Sequence, residues 1–330
     1  MPKFEPLAPS RVPVDGLLKY YQDMLLIRRF EEKAGQMYGM GKIAGFCHLY
    51  IGQEAVVIGV QSALQPKDTV ITAYRDHGHM LACGMDPGGV MAELMGRIDG
   101  YSKGKGGSMH MFSREKNFLG GHGIVGANVP IGTGLAFSHK YQDNGAISVT
   151  YYGDGTSNQG QVFESFNMAG LWKLPVLYIL ENNQYAMGTS VERAAANSEM
   201  LYRRGEPFGI PGVVVDGMDI LAVHAAAQMA VEHVRSGKGP MILEMKTYRY
   251  RGHSMSDPAQ YRTKEEVEEV KRESDPIEHL KHILNEQGVT EDALKAVDKQ
   301  VKASVKAAVE FSENSLEPGP EELFTDVLVE

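Results

Sequence analysis

The most constraining feature of this 330-residue chain is a pair of short polar motifs, Gly153-Asp154-Gly155 and Asn182-Asn183, each directly following a predicted strand. The first strand covers 147–152. The second, 175–181, holds the unbroken run Val176, Leu177, Tyr178, Ile179, Leu180, as expected of a strand buried on both faces of a parallel sheet. Between them, 159–172 carries Val162, Phe163, Phe166 and Ala169 at helical spacing. A right-handed crossover puts both strand ends on one sheet edge, the edge where open α/β sheets bind ligands. Asp154 and Asn183 are therefore expected to meet. A carboxylate and an amide oxygen together suit Mg²⁺, which takes about six oxygens and commonly shares those of phosphates. Gly155 lets the chain pass close to such a phosphate, near a helix start whose free N–H groups favour anions. Alone, a Gly-Asp-Gly reads as a tight turn; the second motif at this spacing makes it a site.

Strands and helices alternate around this unit. Helices are expected over 14–38, 53–64, 87–97, 128–141 and 219–235, and strands over 68–73, 212–215 and 241–246. Glycine is abundant, 37 residues, and concentrates between 84 and 160 among His, Lys, Asp and Asn. Such density beside polar groups means backbone brought close to something. The irregular stretch 99–127 is long enough to be functional. After Asp257-Pro258 the pattern is purely helical, from 263 to about 311. The expected fold class is α/β, one doubly wound parallel sheet with helical N- and C-terminal extensions. The expected domains are a helical extension over 1–45, an α/β domain over 46–257, and an acidic helical segment over 258–330 packed on the same unit.

The formal charge of −9 is unevenly placed. Residues 261–330 hold 18 acidic and 9 basic side chains, and the other 260 residues are balanced. A solvated helical surface accounts for such a tail. The acidic balance argues against nucleic acid as the main partner. No run of about 18 apolar residues predicts a membrane span. Residues 1–13 have neither a signal-peptide core nor an Arg/Ser-rich amphipathic stretch. Cys47 and Cys83 are too few for a disulfide scaffold. A bacterial cytoplasmic location is expected ahead of a mature mitochondrial matrix form.

Several further segments narrow the reading. Phe46-Cys47-His48-Leu49-Tyr50-Ile51-Gly52-Gln53-Glu54-Ala55, Tyr74-Arg75-Asp76-His77-Gly78, Gly104-Lys105-Gly106-Gly107-Ser108-Met109-His110-Met111, Gly123-Ile124-Val125-Gly126-Ala127 and Tyr248-Arg249-Tyr250-Arg251-Gly252-His253-Ser254-Met255-Ser256-Asp257-Pro258 follow in order. Together with the two motifs, which match the thiamin-diphosphate-binding signature, they resemble the alpha subunits of the decarboxylating component of the 2-oxo acid dehydrogenases. The wording around 249–258 is similar to members acting on pyruvate; branched-chain 2-oxo acid and acetoin dehydrogenases are the alternatives. The likeness runs from about residue 15 to 275.

The resemblance implies a thiamin-diphosphate-binding fold of the diphosphate-binding type, with thiamin diphosphate and Mg²⁺ as cofactors. Asp154, Asn183 and the Tyr185 carbonyl would hold the metal. Gly155 and Thr156 would touch the diphosphate through backbone groups, beside Tyr74, Arg75 and His253. Gly123 and Val125 would hold the aminopyrimidine, the Val125 side chain wedging the cofactor into a bent shape. His48 and His253 are the acid–base candidates, since a histidine near its ordinary pKa moves protons at neutral pH. His77, His79, His110 and His122 read as structural histidines. Ser254 matches a serine phosphorylated in mitochondrial relatives. The later regulatory serine is replaced in the stretch Ala259-Gln260-Tyr261, which argues against phosphorylation control.

The family also needs a glutamate on the cofactor's pyrimidine ring, from a separate pyrimidine-binding domain. This chain has strands for one sheet, so the resemblance implies a beta subunit, in a heterotetramer of two alpha and two beta chains. A lipoyl-bearing dihydrolipoyl acyltransferase would receive the acyl group. A nicotinamide dehydrogenase would use the same sheet, but the nearest glycine fingerprint, Gly132-Thr133-Gly134-Leu135-Ala136-Phe137, lacks its third glycine and lies inside a predicted helix. A purely structural scaffold would not need Asp154 or Asn183.

Overall fold

In a computed structural model that describes residues 12–328, the chain opens with α1 (Val14–Gly39), α2 (Glu54–Gln61), β1 (Thr69–Ile71), α3 (His77–Ala82) and α4 (Pro87–Leu94). Residues 1–11, most of the stretch read for targeting signals, lie outside the described part, as do 329 and 330. The glycine-rich stretch leads into α5 (Asn128–Gln142), β2 (Ser148–Gly153), α6 (Gly160–Trp172) and β3 (Val176–Asn182). A small hairpin, β4 (Tyr185–Ala186) with β5 (Thr189–Ser190), precedes α7 (Val191–Ala194). Then come β6 (Gly212–Asp216), α8 (Ile220–Arg235) and β7 (Met241–Lys246), and the chain finishes on α9 (Lys264–Ser274), α10 (Pro276–Glu286) and α11 (Glu291–Asn314).

Five strands form one wholly parallel sheet in the order β1-β2-β3-β7-β6. Helices cover both of its faces, the doubly wound arrangement expected. Strand β3 shows why its sequence is apolar throughout. Leu177 and Ile179 belong to a large core with α1, α2, α8, α10 and α11, while Val176, Tyr178 and Leu180 belong to a smaller core with α5 and α6. Alternate side chains thus enter opposite layers, and each needs an apolar residue.

The structure adds local detail to these expectations. Helix α3 lies in a stretch for which no element is expected; its first five residues, His77 to Leu81, are buried, so tertiary burial outweighs a weak local pattern. The long C-terminal helical stretch is three helices. Asp275 accepts from the N–H groups of Ile277 and Glu278 with Pro276 in the first turn, and Gly288 adopts a φ of +87° before Thr290 caps α11. Helix α6 begins within one residue of its expected start, and Thr156–Asn158 forms a separate 3₁₀ turn between it and Gly155. Among the described residues no helix is long and apolar enough to cross a membrane, and both cysteines are free.

Candidate active site

The register of the sheet brings the motif residues together. Gly153 pairs with Glu181 across β2 and β3, and Asn182 pairs with Lys246 across β3 and β7. Three neighbouring strands therefore end at one level, and the chain leaving them delivers Asp154, Asn183 and Arg249 to one edge. Strand β1 ends on the same side, followed by Tyr74 and Arg75. These residues line a cavity of about 260 Å³, with Gln53, Val125 and the Tyr185 hairpin.

Asp154 is buried, and burial pushes its carboxyl up to about 6, although its own backbone and the Arg249 charge favour the ionised form. Asn183 donates its side-chain N–H to Gln53 Oε1 at 3.1 Å. Its Oδ1 accepts from Arg249 Nη1 at 3.3 Å, and the Tyr185 carbonyl accepts from the same nitrogen at 2.9 Å. The turn placing that carbonyl beside Asn183 runs through Gln184 at a φ of +75°. No three His, Cys, Asp or Glu side chains among the described residues converge on a point. The candidate donor set is instead one carboxylate, one amide and one main-chain carbonyl.

Gly155 has a nearer reason than a phosphate to lack a side chain: a Cβ there would stand 2.7 Å from the Ala186 Cβ on the hairpin. The glycine lets β4 close over the Thr156–Asn158 turn. Arg204, which sequence reasoning missed, ties that turn down by donating to Ser157 Oγ at 2.9 Å and Asn158 Oδ1 at 2.8 Å, and to the Ser157 carbonyl. No local pattern pointed to it.

Arg75 lines the cavity, but its fork is committed to two carbonyls, Leu49 at 2.9 Å and His253 at 2.7 Å. It braces the 253 loop against the chain before α2. Burial, then the Arg249 charge, lowers its pKa to about 10.

A second, more open cavity of about 610 Å³ adjoins the first and shares Tyr74, Val125 and Met187 with it. His48, Gly123 and His253 line it, and Val125, 38% exposed, stands at the junction. The rings of His48 and His253 meet edge to face at 5.2 Å, and Tyr74 packs on both. Neither histidine keeps an ordinary pKa. Burial and then the Arg75 charge lower His48 to about 2 and His253 to about 4. Both are neutral at pH 7, and both Nδ1 atoms are buried without a hydrogen-bond partner. His77 is structural by its contacts, with Nδ1 on Glu31 at 2.9 Å and Nε2 on Ser108 at 2.8 Å.

The 253 loop is held closely. Asp257 accepts from the His253 N–H at 2.6 Å and from Tyr261 Oη at 2.8 Å, and Tyr261 Oη accepts from Arg249 Nη2 at 2.9 Å. Ser254 is buried, its Oγ 2.9 Å from that of Ser256.

Comparison with known proteins places this geometry. A sequence model described as "Dehydrogenase E1 component" matches residues 22–321. A Rhizobium meliloti (strain 1021) protein named pyruvate dehydrogenase E1 component subunit alpha is 66% identical over 94% of this chain and 90% of its own length. The protein of that name in Zymomonas mobilis is 60% identical over 98% of this chain and 92% of its own length. A mitochondrial subunit alpha from Sminthopsis macroura is 52% identical over 93% and 84%. With its five-stranded parallel sheet and the two motifs at one edge, the chain belongs to the dehydrogenase E1 component family.

Proposed function

We propose that this chain is the alpha subunit of a pyruvate dehydrogenase E1 component, which decarboxylates pyruvate with thiamin diphosphate and passes the acetyl group to a lipoyl group on the acyltransferase component. The carrying observation is the convergence of Asp154, Asn183 and the Tyr185 carbonyl on one cavity, beside a larger histidine-lined one. The shared name of relatives at 56–66% identity supports pyruvate as the substrate.

The residues present fit the cofactors. An oxygen-only donor set with one carboxylate suits Mg²⁺ that also takes phosphate oxygens. Gln53 Nε2 is buried in the same cavity wall without a partner, a donor that a diphosphate oxygen would satisfy. Thiamin diphosphate, when bound, supplies the electron sink that lets carbon dioxide leave a 2-oxo acid.

This chain's residues do the rest. Asp154, Asn183 and the Tyr185 carbonyl hold the cation. Gly155 and Thr156 offer backbone groups to the diphosphate, with Tyr74, Arg75 and His253 beside it. The Gly123 backbone and the Val125 side chain seat the ring end at the junction of the two cavities. His48 and His253, neutral and with free Nδ1 atoms, take and return protons at the open cavity. An arriving anion offsets Arg75 and raises their basicity.

The proposed assembly is two alpha and two beta chains. One parallel sheet among the described residues supports a site completed by a second subunit. So does the exposed apolar surface on α5 and α6, with Phe137, Tyr141, Leu171 and Trp172. The test is reconstitution with the beta subunit. Pyruvate should turn over faster than 2-oxoisovalerate or acetoin, and this chain alone should be inactive. Preference for 2-oxoisovalerate or acetoin would reassign the substrate, and full activity alone would remove the split site.

A further inference from the structure

Arg249 is a guanidinium buried to 1% exposure, yet it forms no ion pair within 4 Å among the described residues. A buried charge needs compensation. Here it comes from oxygen dipoles: Asn183 Oδ1 at 3.3 Å and the Tyr185 carbonyl at 2.9 Å on Nη1, then the Met187 carbonyl at 3.1 Å and Tyr261 Oη at 2.9 Å on Nη2. The two oxygens on Nη1 are two of the three protein ligands proposed for the metal. The third, the Asp154 carboxyl, lines the same cavity and feels the Arg249 charge.

A cation bonded to those oxygens at about 2.1 Å would stand a few ångströms from the guanidinium, and at that range in a buried site the repulsion between a double and a single positive charge is large. Both cannot use these two oxygens at once, and keeping both charges in the cavity needs an anion between them. The fork also leads outward. Nη2 grips Tyr261, which is bonded to Asp257, which in turn holds the His253 N–H.

We propose that Arg249 is an internal counter-cation that competes with the divalent metal for Asn183 Oδ1 and the Tyr185 carbonyl, so that metal binds tightly only when a diphosphate brings compensating charge. This rests on Asp154, Asn183 and Tyr185 being the metal seat. It makes metal and diphosphate binding mutually dependent through one side chain, and by linkage each must strengthen the other by the same factor. Arg249 is a positioning residue in this account.

The test uses Mn²⁺ as the probe, titrated by electron paramagnetic resonance into the full chain copurified with its beta subunit, with and without thiamin diphosphate. Arg249→Gln should bind Mn²⁺ alone about tenfold more tightly or better than wild type, as expected when a like charge is removed from a buried site. The factor by which thiamin diphosphate tightens Mn²⁺ should shrink in the variant. Arg249→Lys, which keeps the charge, should stay near wild type. Should the variants not fold, wild type decides: a structure with Mn²⁺ and thiamin diphosphate bound should show Nη1 withdrawn from the Tyr185 carbonyl. Equal Mn²⁺ affinities without diphosphate, or a guanidinium still bonded to both oxygens beside the metal, would overturn the proposal while leaving the metal seat intact. Failure of every form to take Mn²⁺, even with diphosphate, would overturn the seat and the proposal together.

Discussion

Asp154 and Asn183, from two polar motifs separated by a whole helix in sequence, line the wall of one cavity at the sheet edge. That placement follows from the register that sets Gly153 opposite Glu181. The Asp154 backbone and the Arg249 charge do not offset burial, which holds the Asp154 carboxyl near 6.

That imbalance has a measurable sign. The folded pKa lies above the unfolded value of 3.8, so the native state holds the extra proton between the two. Stability without divalent cation should therefore fall as pH rises from about 4 to about 6, by on the order of 3 kcal/mol. Denaturant melts in chelator should show this slope in wild type and lose it in Asp154→Asn.

The histidines carry the opposite dependence. With folded values near 2 and 4 against 6.5 unfolded, His48 and His253 stay neutral while the unfolded chain takes protons. Their contribution is complete above pH 6.5 and is lost as pH falls toward the folded values. Carbon-13 NMR of labelled histidine should find two rings that do not titrate between pH 5 and 8. Replacing either by Gln should lower kcat by roughly 10²- to 10⁴-fold with little change in melting temperature.

Gly155 and Ala186 form a steric pair. Gly155→Ala sets two Cβ atoms 2.7 Å apart and should push the hairpin bearing the Tyr185 carbonyl away, costing about 1–3 kcal/mol. Adding Ala186→Gly should recover most of both stability and cofactor affinity. Calorimetry on the four proteins of this cycle measures the coupling.

Arg204→Met removes the brace under the Thr156–Asn158 turn. It should cost about 1–3 kcal/mol, because the acceptors of buried Ser157 lose a charged donor. It should also weaken thiamin diphosphate binding, read by titration calorimetry, more than it weakens the assembly.

Much of this was legible in the chain. Strand β7 has the bounds its pattern suggested, and the apolar run of β3 announced a strand shared between two cores. The two motifs were readable because topology alone puts parallel strand ends together. What stayed hidden depends on contacts remote in sequence. Helix α3 exists through burial. The hairpin at 185–190 needs positive φ at Gln184 and Met187, residues that do not advertise it. The depressed histidines follow from burial and then from Arg75, whose fork spans from the Leu49 carbonyl to that of His253, and no spacing rule reveals that reach.

The most direct measurement is a thermal titration of the intact assembly with Mg²⁺ and thiamin diphosphate. Ligand at a hundred times its Kd should stabilise wild type by about 2.7 kcal/mol. Asp154→Ala and Asn183→Ala should each abolish the Mg²⁺-dependent part of that gain. An undiminished Mg²⁺-dependent shift in Asp154→Ala would contradict the account.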